Sequence, residues 1–171
     1  TSDPVDLPGI EYVPLFRYEA LLAIDKQHSL AGKAFVEPKD LQDQVLITYP
    51  VERDRLDVFT AFLDPADIEP LDIRTAELTP MMVQLVASGR GVASLPNWAL
   101  TEYTENQTIL AKKMGEAGVW STLYAAIRED QKDTPFMQEF LSTAIDTCFS
   151  HLVGIRRVSD VSDATALRNA V

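Results

Sequence analysis

The stretch TPMMVQLVASGRGVASLPNW (residues 79–98) carries a helix, a turn, a strand and the start of a second helix in direct succession. Thr79 reads as the N-cap of the first helix and Pro80 as its first helical residue, where the N–H that proline lacks has no partner to lose. Met82, Leu85 and Val86 recur at the spacing that gathers side chains on one helix face, and Gly89 or Gly91 closes the element. Residues 92–95 are short, apolar and ended by Pro96, as a buried strand would be. Asn97 is suited to cap a further helix running from Trp98 to about Tyr103.

The same alternation extends upstream. Residues 45–49 (VLITY) are β-branched and aromatic enough for a central strand. From Arg53 the apolar positions Leu56, Phe59, Phe62 and Leu63 predict an amphipathic helix that Asp64-Pro65 stops, and a short strand surrounds Ile73. Residues 20–24 (ALLAI) form a continuous apolar run, read as a buried strand ended by the polar Lys26-Gln27-His28-Ser29, and residues 38–41 read as one helical turn. Downstream, residues 108–114 and 119–128 read as strands with Gly115 and Gly118 at the turn between them. The second is long enough to cross between two lobes. Thr134-Pro135 repeats the cap-then-proline signature, and Phe136, Phe140, Leu141, Ala144, Ile145, Cys148 and Leu152 form one helical face expected to pack on a sheet. Strands alternating with helices through short joins predict an α/β fold with a mostly parallel sheet.

Composition bounds the function. An apolar share of 46% is enough for one compact domain or two small lobes. The formal charge of −11 sets up a field that repels a phosphate backbone, so contact with DNA is not expected from these residues. One cysteine, Cys148, excludes an internal disulfide and a cysteine-based zinc site, and fits a reducing cytosol. No apolar run approaches the roughly 20 residues that span a bilayer, so no membrane partner is expected. The chain opens on Thr-Ser-Asp-Pro without Met, which reads as a piece of something longer or a processed product.

Catalytic chemistry finds no support. His28 sits in a polar turn and His151 at a helix end, far apart in sequence and without a paired carboxylate motif, so neither a metal site nor a catalytic dyad is expected. No phosphate-loop, GxSxG, HExxH or GxGxxG pattern is present, and Asp54, Asp57, Asp64 and Asp67 are spaced as a solvated face. Helix starts that follow strands are more informative, because their unpaired N–H groups receive carboxylates. The helix start at Thr79 and the strand end Tyr49-Pro50-Val51 could converge on one crevice, although Thr79 would equally serve as a plain cap. Met81 and Met82 offer soft surface to a sulfur-bearing ligand, or fill the core. The candidate ligand-binding residues are therefore Tyr49, Pro50, Val51, Thr79, Met81, Met82 and Pro96, with no catalytic or metal-binding residue.

Specific motifs sharpen this reading. Tyr18-Glu19-Ala20-Leu21-Leu22-Ala23 followed by His28-Ser29-Leu30-Ala31 resembles the opening of the second lobe in effector domains of LysR-type transcription regulators, with Ser29 where proline is usual. QLVASGRGVASLP (residues 84–96) resembles a block shared by many of these regulators. LITYPV (46–51), ELT (77–79) and LYAAIR (123–128) resemble the branch that activates methionine biosynthesis. The resemblance implies a two-lobed domain like a type II periplasmic binding protein, with the first lobe incomplete. Residues 1–19 would be part of lobe I, 20–124 lobe II, 125–157 the return strand and last helix of lobe I, and 158–171 a flexible tail. It implies no cofactor, but a small amino-acid effector, homocysteine foremost, in a cleft between the lobes, with its carboxylate on the Thr79 helix start. It also implies a cytoplasmic regulator that self-associates as a dimer or tetramer and binds DNA through an N-terminal winged helix-turn-helix absent from these residues. A periplasmic-type solute-binding protein and an enzyme of related lobe architecture are the alternatives.

Overall fold

The computed structural model describes residues 1–158. Seven strands form one sheet: β1 (Ile10–Ile24), β2 (Phe35–Val36), β3 (Val45–Thr48), β4 (Asp72–Thr75), β5 (Val92–Pro96), β6 (Leu110–Met114) and β7 (Val119–Arg128). Three helices join them: α1 (Thr79–Ala87), α2 (Asn97–Glu105) and α3 (Pro135–His151). The strand order is β2-β6-β1-β5-β3-β4, with β7 paired to β1. The chain divides into two compact units, Glu19–Trp120 and Thr1–Tyr18 with the described residues from Ser121 onward.

In the unit Glu19–Trp120 both faces of the sheet are buried. Successive side chains of a strand point to opposite faces. Accordingly Leu22, Ile24, Leu46 and Val92 join one apolar cluster with Phe59, Phe62 and Leu63, whereas Ala23, Ile47, Ala93 and Leu95 join another with Met82, Val83, Val86 and Leu100. Helices α1 and α2 thus cover one face and short helical turns the other. Each fully buried side chain of this size contributes about 1.5–3 kcal/mol from apolar burial. In the other unit, β1 is tied to the segment that follows α3: Arg17 and Arg156 exchange backbone hydrogen bonds of 2.8 and 2.9 Å.

Several expectations need correction. The sheet is mixed, because β1 runs antiparallel to both β5 and β6, while β3 is parallel to β4 and β5 and β2 is parallel to β6. The segment after Arg53 is no regular amphipathic helix. It begins as a 3-10 turn, widens to a π turn over Phe59–Leu63 and tightens again at Asp64–Ala66. Pro65 has no N–H to continue an α ladder, and the Arg53 guanidinium pairs with Asp64 and Glu69 while lying 4.1 Å over the Phe59 ring. Those two carboxylates push the Arg53 pKa upward. Leu78, not Thr79, is the N-cap of α1, and Pro96, not Asn97, that of α2. On α3 only Leu141 is buried; Phe136 and Phe140 are 59% and 61% exposed, so the expected face is not packed throughout. The tail expected from residue 158 lies, beyond Val158, outside the described residues.

The two glycines after α1 do different work. Gly89 takes φ +68°, its N–H donates to Val86 O and that of Arg90 donates to Leu85 O, which closes the helix end on its own carbonyls. Gly91 has φ +153°, and a Cβ there would lie 2.5 Å from the Val45 carbonyl oxygen. Replacing Gly91 by Ala is expected to lower stability by about 2–4 kcal/mol, measured as a shift in the urea midpoint at constant slope.

Asp40 adds a pH dependence. Its carboxylate accepts from the Glu37 N–H at 2.8 Å and pairs with Lys33 Nζ at 2.6 Å. Burial opposes its charge, but the Glu37 N–H and the Lys33 ammonium outweigh that and hold its pKa below the ordinary value. A folded value below the unfolded one means stability that is present above the unfolded pKa and lost as pH falls through the folded value. Asp40→Asn should lower Tm by about 2–4 °C at neutral pH. The gap should close below about pH 4, as melting curves over a pH series would show.

Candidate functional site

Strands β3, β4 and β5 are mutually parallel, so their carboxyl ends, Thr48, Thr75 and Pro96, lie along one edge of the sheet. Because β1 is antiparallel to β5 with Ala20 opposite Pro96, the Ala20 end of β1 lies on that edge too. The chain leaves it through Tyr49-Pro50, through residues 76–78 into α1, and directly into α2. Both helices therefore start where the strands end, the arrangement that presents free N–H groups to ligands in open α/β sheets.

The end of β3 is held to α1 by a hydroxyl pair. Tyr49 Oη and Thr79 Oγ1 are 2.6 Å apart, the Ala76 N–H donates to Thr48 O at 2.9 Å, and the Val51 N–H turns back to Tyr49 O at 2.9 Å. Beside this pair lies a cavity of about 340 Å³ lined by Pro50, Thr75, Ala76, Glu77, Leu78 and Met81. Its size falls within the range of roughly 300–1,000 Å³ that holds small ligands. A cavity of about 580 Å³ lies where β1 and α1 end, lined by Asp25, Lys26, Gln27, Ala87, Ser88, Gly89 and Thr108. Another of about 620 Å³ lies beside Gly9 and the exposed Arg128–Asp130 ion pair. Both are larger and more open, and neither adjoins the start of α1 or α2.

The candidate residues divide accordingly. Pro50 and Met81 line the cavity, and Tyr49 and Thr79 stand beside it, engaged with each other. Val51 is 42% exposed and outside the lining, Met82 is fully buried among core residues, and Pro96 pairs with Ala20 on β1. Sequence reasoning did not single out Thr75, Ala76, Glu77 and Leu78, which form the cavity's wall. The signal available was the ELT motif, quoted for its resemblance but not as lining. His28 is more than a solvated turn residue: Nδ1 accepts from the Leu30 N–H at 3.2 Å and Nε2 meets Gln44 Oε1 at 3.0 Å. Among the described residues no group of three or more His, Cys, Asp or Glu is placed to hold a metal, and no helix is long and apolar enough to cross a membrane.

Comparison with known proteins agrees with this architecture. The family profile described as the LysR substrate binding domain matches residues 1–149. The HTH-type transcriptional regulator MetR of Escherichia coli K12 is 37% identical over 152 residues, covering 89% of this chain and 47% of that protein. MetR of Haemophilus influenzae is 41% identical over 144 residues, covering 84% and 46%. The chain thus spans about half the length of the curated relatives it matches. Among solved structures, the regulatory domain of the LysR family regulator MetR from N. meningitidis superposes with a TM-score of 0.84 at 34% identity, covering 93% of this chain and 73% of that one. The effector binding domain of QuiR in complex with shikimate, at 19% identity and a TM-score of 0.71, shares the fold, with 88% and 71% covered. The chain belongs to the LysR-type transcription regulators, as a MetR-like effector-binding domain.

Proposed function

We propose that this domain senses a small amino acid, with homocysteine the foremost effector, along the carboxyl edge of the sheet in the unit Glu19–Trp120. The observation that carries the reading is the cavity beside the Tyr49–Thr79 pair, at the edge where α1 and α2 begin. In the first turn of α1, Pro80 has no N–H, and those of Thr79 and Met81 have no intrahelical acceptor by the geometry of a helix start. Such groups receive a carboxylate, while Pro50, Leu78 and Met81 offer apolar and soft contacts to a sulfur-bearing side chain. The Thr79 hydroxyl is already engaged by Tyr49, so it orients the helix start and leaves the backbone to meet the ligand.

Effector binding would then shift the population of regulator conformations by its differential affinity for them. Driving such an equilibrium from 1:99 to 99:1 takes about a 10⁴-fold difference in affinity. In this reading the whole regulator works in the cytoplasm, self-associates as a dimer or tetramer, and reaches methionine-biosynthesis promoters through a winged helix-turn-helix outside these residues. The domain itself turns over no substrate. A periplasmic-type solute-binding role shares the architecture but is not favoured by relatives that are transcription regulators.

Titration calorimetry with L-homocysteine should give a saturable heat, and the absence of both heat and thermal shift at millimolar ligand would overturn the reading. Filling the cavity by Thr75→Trp should weaken binding at least about tenfold, or 1.4 kcal/mol, with the far-ultraviolet spectrum unchanged. Removing one hydroxyl by Tyr49→Phe should cost about 0.5–1.5 kcal/mol of stability. A Tyr49→Phe, Thr79→Val double-mutant cycle would show whether that cost belongs to the pair.

A further inference from the structure

Of the chain's four methionines, three are covered wholly or in part. Met82 and Met114 are 0% and 1% exposed inside the two apolar clusters, and Met137 is half-buried on α3. Met81 stands apart at 55% exposed. A thioether is oxidised to the extent that an oxidant reaches its sulfur, so burial alone ranks these four. Cys148, the one thiol, is likewise only partly exposed.

The place of the exposed sulfur gives its oxidation a consequence. Met81 lines the cavity beside Pro50, Ala76 and Leu78, in the first turn of α1. A thioether is a soft apolar contact and a weak acceptor, whereas a sulfoxide is polar and carries a strong acceptor oxygen. The Thr79 and Met81 N–H groups, which have no intrahelical acceptor, would supply donors to that oxygen. Met82, one position on, has no such surroundings: its N–H already donates to Leu78 O at 3.0 Å and its side chain is in the core.

We propose that Met81 is an oxidation site through which a hydroperoxide lowers the affinity of the cavity for its effector. A sulfur lone pair attacks the terminal peroxide oxygen, and the O–O bond breaks as the S–O bond forms. The departing oxygen takes up the hydroxyl proton and leaves as water or an alcohol. Sulfur loses two electrons and the peroxide gains them. The new oxygen replaces a soft contact with a polar one and engages N–H groups that would otherwise meet a carboxylate. The loss of affinity rests on the sensing reading above, whereas the order in which the methionines are oxidised does not.

The test treats the full-length regulator with hydrogen peroxide, removes the excess with catalase and reads each methionine by fragmentation mass spectrometry. Met81 should take up one oxygen at least about tenfold faster than Met82, Met114 or Met137. In calorimetry, the oxidised wild type should bind L-homocysteine at least about tenfold more weakly than the untreated protein. Met81→Leu, which keeps an apolar chain without sulfur and retains Cys148, should show the same affinity before and after treatment. Oxygen uptake at Met81 no faster than at Met137 would overturn the inference without any variant having to fold. Preferential uptake at Met81 with no loss of affinity would also overturn it, while leaving the sensing reading intact. No binding of L-homocysteine to untreated wild type would remove the sensing reading and, with it, the effect proposed for the sulfoxide.

Discussion

Gly91 faces the Val45 carbonyl so closely that one methyl group would collide with it, and on this contact the arrangement of the sheet depends. It lets β5 settle beside β3 in the register Leu46 to Val92 and Ile47 to Ala93. β5 is the strand through which β1, β6 and β2 on one side are joined to β3 and β4 on the other. A displaced β5 would separate the two clusters of apolar side chains from their common sheet. It would also misalign the ends of β3, β4 and β5, and with them the starts of α1 and α2. That edge is thus a consequence of a backbone approach at the opposite end of the same short strand.

That edge combines groups that are already paired with groups that are not. The Tyr49–Thr79 hydroxyl pair is closed on itself, which fixes where α1 begins. Glu19 Oε1 and Trp98 Nε1 are buried and remain open. Buried polar atoms are nearly always satisfied in folded proteins, so these two on neighbouring backbone segments stand out. The apolar lining at Pro50, Leu78 and Met81 would offer apolar contacts to the ligand proposed above.

How much of this was legible from sequence depends on what each residue had to specify. The helix-turn-strand in residues 79–98 was, because proline, glycine and apolar spacing act locally. The strands at residues 45–48 and 119–128 were legible from β-branched and apolar content. The segment after Arg53 was not: Phe59, Phe62 and Leu63 do face the core as helical spacing demands, but an ion-paired arginine and Pro65 widen and then tighten the turns between them. Thr79 was assigned the right region and the wrong role, since a hydroxyl thirty positions away in sequence took the bond a cap would have made with the backbone. Met81 and Met82 were indistinguishable as letters; only the rotation of α1 sends one to the cavity and the other to the core. Glu19 was legible as part of a motif, but strand alternation describes its neighbours and says nothing of an unpaired oxygen.

Net charge completes the argument about recognition. At −11, the chain's field draws cations and turns away anions, but it exerts no net pull on a zwitterion. Selectivity for the α-amino acid proposed above would then come from local groups spaced to match its two charges. Helix starts alone would accept any small carboxylate, including those without an amine. Gly118, by lacking a side chain, leaves the space that the Glu19 carboxylate occupies.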